Sequence, residues 1–79
     1  SGADSAEEAL IVDAARLYEV DNKITIGTTT ETGVEVKKLI SEGYLELRND
    51  NMNTNGTVRR ATKTEREDDS VAFIVEDRD

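Results

Sequence analysis

Apolar residues recur at helical spacing through the first quarter of the chain. Leu10, Ala14 and Leu17 lie on one stripe, with Ile11 and Tyr18 beside them, the i, i+3, i+4 and i+7 signature of an amphipathic helix. This predicts a helix over residues 6–20, widened by Val12, Ala15 and Val20, with Asp13, Arg16 and Glu19 outside the stripe. Ser5-Ala6-Glu7-Glu8 fits a capping box, and Asp4, Glu7 and Glu8 sit where the helix dipole favours negative charge. Asp21-Asn22 reads as the stop, with Asn22 in the left-handed position. The β-branched run in Lys23–Thr32 predicts an extended segment or short strand. Thr32-Gly33-Val34-Glu35 reads as a second capping box, opening a short helix to about Glu42 with Val36, Leu39 and Ile40 inward and Gly43 at its C′ position.

From Tyr44 onward the period changes from helical to alternating. Tyr44–Arg48 places Leu45 and Leu47 on one face of a strand. Residues 49–56 form a dense turn cluster in which Asn55-Gly56 signals a hairpin. A second strand is expected over residues 57–64, followed by a charged loop over residues 65–70. Val71–Glu76 alternates apolar residues on both faces, which predicts a central strand with helix on one side. The fold class implied is α+β: an N-terminal amphipathic helix packed on a small antiparallel sheet of about three strands, with a short second helix. Leu10, Ile11, Ala14, Leu17 and Tyr18 are expected to bury against Leu45, Leu47, Phe73 and Val75.

Composition limits what such a fold can do. The chain has 79 residues, 35% hydrophobic and 35% charged, enough for one small domain over residues 1–79 with a modest core. Residues 1–5 read as a tag remnant or a disordered start. The formal charge of -8 repels phosphate backbones, so no direct nucleic-acid partner is expected. Arg59, Arg60, Lys63 and Arg66 gather locally, but acidic neighbours make a solvated strand and turn the simpler reading. The chain contains neither Cys nor His, which removes disulfides, the usual zinc sites, Cys nucleophiles and His bases. No signal peptide or membrane-spanning run is visible. With few aromatics and little room for a pocket, no catalytic residues and no cofactor are expected, and the chain reads as a non-enzyme. Asn51, Asn53 and Asn55, with Gly56 and Val58, give a weak calcium-loop rhythm that lacks the charged ligands and the closing Glu. Asn55-Gly56-Thr57 also matches the short N-glycosylation triplet.

The order of elements, together with two short motifs, resembles the globular part of a type IV pilin or pseudopilin. The helix ends with Ala14 or Ala15, Leu17, Tyr18 and Asn22, similar to an "A–LY–––N" pattern. After a Thr-rich loop, Leu39, Ile40, Gly43, Tyr44 and Leu45 match an "LV–––GYL" pattern. The resemblance implies a structural subunit of an extracellular filament or of a secretion or competence pseudopilus, acting by assembly with other pilin subunits. It also implies a membrane anchor before assembly, through a hydrophobic half-helix that would precede the helix seen here. Leu39–Leu45 followed by a hairpin also resembles the recognition helix and wing of a winged-helix DNA-binding domain. A protein-interaction module that does not polymerise is the third reading.

Overall fold

The computed structural model describes residues 5–48, 52–66 and 73–76, without the side chains of Ser5 and Ile74. Helix α1 covers Ser5–Asn22, strand β1 Val34–Glu35, helix α2 Val36–Ser41, strand β2 Thr57–Arg60 and strand β3 Phe73–Glu76. The three strands form one antiparallel sheet in the order β1-β2-β3. This is the α+β architecture that the hydrophobic pattern implies.

Register builds the core. Val34 faces Val58 and Val58 faces Val75, so three valines lie abreast across the sheet, and all three are buried. Against them α1 presents Ile11, Ala14, Ala15 and Tyr18, while α2 contributes Val36 and Leu39. Leu45, Ile26 and Met52 complete the buried set from loops. The buried stripe of α1 is thus rotated by one residue from the Leu10–Ala14–Leu17 row that the sequence favours. Small Ala14 and Ala15 let the helix approach the sheet closely, a fit that long leucines would prevent.

Both helices end in the same way. Lys23 N–H donates to the Val20 carbonyl at 3.3 Å and Ile24 N–H to the Glu19 carbonyl at 3.2 Å, the paired bonds of a Schellman motif. Its left-handed residue is Lys23, with φ 54°, and not Asn22, which remains helical. At the end of α2, Gly43 N–H donates to Ile40 O at 3.1 Å and Tyr44 N–H to Leu39 O at 2.9 Å. There Gly43, with φ 85°, takes the expected C′ position.

Several local expectations are corrected. The second capping box does not form: Thr32 Oγ1 lies 2.8 Å from Thr29 Oγ1 within the Thr-rich loop, and α2 starts after Glu35 with no side-chain cap. Val34–Glu35 is strand, because Gly33 passes close against the Val58 carbonyl and Val36 N–H donates to Gly56 O at 3.0 Å. That pairing occupies the edge of β2 that a Tyr44–Arg48 strand would need. The segment is instead irregular, with Leu45 N–H turned back to Leu39 O at 3.2 Å. Strand β3 lies at the edge of the described sheet, and β2 is central. Strand β2 stops at Arg60, because Thr62 and Glu65 form a capping box around a 3-10 turn over Lys63–Glu65. Lys23–Thr32 contains no strand, although Ile26 is fully buried. Asp4 and the side chain of Ser5, needed for the first capping box, lie outside the described residues, as do the loop at 67–70 and the start of the expected strand at Val71.

Truncating Leu39 to Ala should cost about 2–5 kcal/mol in a urea unfolding experiment, since its side chain has no solvent exposure. Lys23→Gly should raise stability by about 1 kcal/mol by removing the left-handed penalty of a residue with a Cβ. An unchanged midpoint for Lys23→Gly would contradict the left-handed cap.

Candidate interaction surface

Beside its buried stripe, α1 carries a second apolar row that the sheet does not cover. Leu10 is 42% exposed, Leu17 52% and Val20 71%, and Ile24 just past the helix end is 43% exposed. With exposed Asp13, Leu10, Leu17 and Val20 follow a 3-4-3 spacing (10, 13, 17, 20), which keeps them on one line along the helix. The row opens onto a shallow groove of roughly 520 Å³, whose walls include Leu10, Ala14, Leu17, Tyr44 and Leu45, with Asp13, Glu46 and Arg48 at its rim.

The far wall of that groove is fixed by a latch. The Tyr18 and Tyr44 rings meet edge to face, with centroids 5.3 Å apart and an interplanar angle of 81°. Asn22 Nδ2 donates to the Tyr18 carbonyl at 2.9 Å and to Tyr44 Oη at 3.4 Å. Tyr44 Oη in turn donates to Asp21 Oδ2 at 3.0 Å. This hydrogen bond, joined by the Asp21 charge, raises the Tyr44 pKa, because a phenolate beside a carboxylate is disfavoured. Tyr18 and Asn22 belong to one motif and Tyr44 to the other, 22 residues beyond Asn22. They form one cluster that holds the 44–48 segment against the last turns of α1.

On the other side of α1, Glu19 ties helix to sheet. Its carboxylate accepts Arg60 Nη1 at 2.9 Å and Nη2 at 3.3 Å, and also the Ile26 N–H at 2.8 Å. The side chains of Arg60 and Glu19 are only 24% and 18% exposed. The Arg60 hydrogen bonds hold the Glu19 carboxyl below the ordinary carboxylate range against the opposing cost of burial. Arg60 and Arg16 lie 4.7 and 5.0 Å from the Phe73 ring centroid, within cation–π range. On the outer face of the sheet, Arg59 makes two parallel bonds of 2.7 Å to Glu65 and a third of 2.7 Å to Glu76.

The residues singled out from the sequence therefore divide. Ile11, Ala14, Tyr18, Leu45 and Val75 are buried, Phe73 is half-buried, and Leu10, Leu17 and Leu47 stand in solvent. Leu47 fails to bury because no strand carries it to the Leu45 face. Of the weak calcium set, Asn51 lies outside the described residues. Asn53 Oδ1 accepts the Asn55 N–H at 2.9 Å, so this oxygen closes a local turn. Among the described residues no three His, Cys, Asp or Glu side chains gather as a metal site, and no helix is long and apolar enough to cross a membrane. The pairings of Glu19, Arg59 and Glu65 were not visible in the pattern. The Thr62-x-x-Glu65 spacing was the one available signal for the capped turn. No family model, curated protein or solved structure matches the chain.

Acid should loosen these ties. Glu19 is held below 4.5, and Arg59 pulls the Glu65 pKa down to about 2. A depressed folded-state pKa means stabilisation that is complete above about pH 4.5 and lost as pH falls toward about 2. Unfolding midpoints across that range should decline less in Glu19→Gln/Glu65→Gln than in the parent. Parallel declines would contradict the assigned pairs. At neutral pH, Glu19→Ala should cost about 1–3 kcal/mol, because it removes the charged partner of a largely buried guanidinium that keeps the Ile26 carbonyl as an acceptor.

Proposed function

We propose that this chain is the globular part of a pilin or pseudopilin. In this reading it is a structural subunit of an extracellular type IV pilus-like filament or a secretion or competence pseudopilus, held in the membrane before assembly. Its action is association with other subunits, with no turnover of substrate. The observation that carries the reading is the uncovered row on α1. One side of the helix is committed to its own sheet, while Leu10, Leu17 and Val20 remain exposed beside it. A domain with so few apolar residues has a use for that row in an interface. The clustering of Tyr18, Asn22 and Tyr44 adds support, because the motif residues behind the resemblance share one physical task.

The winged-helix alternative receives less support. It would read DNA with α2, which has six residues and a length of only about 9 Å. Two of its apolar residues, Val36 and Leu39, are committed to the core.

Antibodies raised against the chain should decorate thin filaments sheared from the surface of the source cells, and deletion of the gene should remove the label. Undecorated filaments, with the chain confined to the cell interior, would overturn the reading. Leu17→Glu should abolish filaments while moving folding stability by no more than about 0.5 kcal/mol, because the residue is exposed.

A further inference from the structure

The Asn55-Gly56-Thr57 triplet is left unused by an assembly role. Its asparagine is exposed, whereas Thr57 is 1% exposed, so in the folded chain an enzyme that must read the threonine hydroxyl has no access to it. The Asn-Gly pair does not make a hairpin turn either. Gly56 O accepts the Val36 N–H at 3.0 Å, immediately before β2 begins at Thr57. Neither Asn55 nor Gly56 has the positive φ that a two-residue hairpin turn requires. What remains is the chemistry of the pair itself.

Three features leave that chemistry open. The side-chain amide of Asn55 makes no hydrogen bond among the described residues, where only its backbone N–H is engaged, by Asn53 Oδ1. The other described asparagines differ: Asn22 Nδ2 is held by the Tyr18 carbonyl and by Tyr44 Oη, and Asn53 Oδ1 is occupied by the Asn55 N–H. Gly56 is buried, yet its N–H has no acceptor among the described residues. Directly opposed antiparallel residues can exchange two bonds, but Val36 opens α2, where its carbonyl enters the helical ladder. An orphaned buried N–H is costly, so a reaction that consumes it is aided by the fold. Glycine, finally, has no side chain to crowd a ring closing on its nitrogen.

We propose that Asn55-Gly56 is a site of spontaneous imide formation and deamidation, with water as the only co-reactant. The Gly56 nitrogen gives its proton to hydroxide and bonds to Cγ of Asn55. The Cγ–Nδ2 bond breaks, and ammonia leaves after taking a proton from water. Water then opens the cyclic imide at one of its two carbonyls. Opening at Cγ gives aspartate. Opening at the main-chain carbonyl gives isoaspartate, which carries the backbone through Cβ and Cγ and lengthens it by one methylene. Glu35 and Lys37 both border the site, so the new carboxylate meets one charge of each sign. The longer backbone acts on the Gly56 O to Val36 N–H bond, which ties the start of α2 to the sheet. The pair is thus an irreversible mark of age, and it stands independently of the filament reading.

The full chain, incubated at mildly alkaline pH, should release ammonia and gain isoaspartate at position 55, read by peptide mapping and by isoaspartyl methyltransferase labelling. Conversion there should run at least tenfold faster than at Asn22 or Asn53, and within a few-fold of the rate in the guanidinium-unfolded chain. Asn55→Gln, at an exposed position, should abolish the early ammonia release. In amide hydrogen exchange, the isoaspartate product should lose protection at the Val36 N–H several-fold. Asn55→Asp should keep that protection, which separates the longer backbone from the added charge. Conversion in the folded chain more than tenfold below that of the unfolded chain, or spread evenly over the asparagines, would overturn the proposed site. Unchanged Val36 protection in the isoaspartate product would overturn its effect on α2.

Discussion

The structure depends on one carboxylate. Glu19 receives the Arg60 guanidinium from β2 and the Ile26 N–H from the segment that follows α1. Three stretches of chain that also meet in the apolar core are thereby fixed around a single group. In a domain with a 35% hydrophobic fraction, burial alone sets orientation loosely, because alanines and valines slide over one another with small penalties. Directional, charge-assisted bonds at the end of the helix determine its angle on the sheet. With that angle set, Val34, Val58 and Val75 meet the Ile11–Ala14–Ala15–Tyr18 stripe, and the Leu10–Leu17 row is turned outward.

The outward row and the inward stripe explain why part of the fold was legible and part was not. Helix α1, the end of α2 at Gly43 and the general class followed from periodicity and from glycine chemistry. The choice between two neighbouring stripes did not, since a hydrophobic pattern counts leucines and cannot weigh close approach by alanines. The segment Tyr44–Arg48 alternates well, yet strand formation also needs a free edge, and Val34–Glu35 had already taken it. Two-residue strands leave almost no periodic signal. In the same way, the Tyr18–Asn22–Tyr44 latch was visible as two separate motifs. Only their contact shows that they act together.

The surface has an uneven division of labour. Charges on the outer face of the sheet are largely satisfied internally, with Arg59 bonded to Glu65 and Glu76. The apolar row of α1, by contrast, has a polar rim and no cover from the described residues. A face with its charges already paired presents little to a partner, whereas the α1 side offers both area and polarity. That contrast gives the domain a front and a back.

The sheet order has a further consequence for how the protein is made. Val75 lies on β3, the last described strand, and closes over the valines that receive α1, the first described element. On the ribosome α1 therefore emerges with both its apolar rows exposed, and the strand that completes its cover, β3, follows more than 50 residues later. Such non-local closure slows folding and lengthens the time during which nascent chains can stick to one another. A helix with Glu7, Glu8, Asp13, Glu19 and Asp21 against a single Arg16 is suited to that wait, because its net negative charge keeps neighbouring nascent helices apart until β3 arrives.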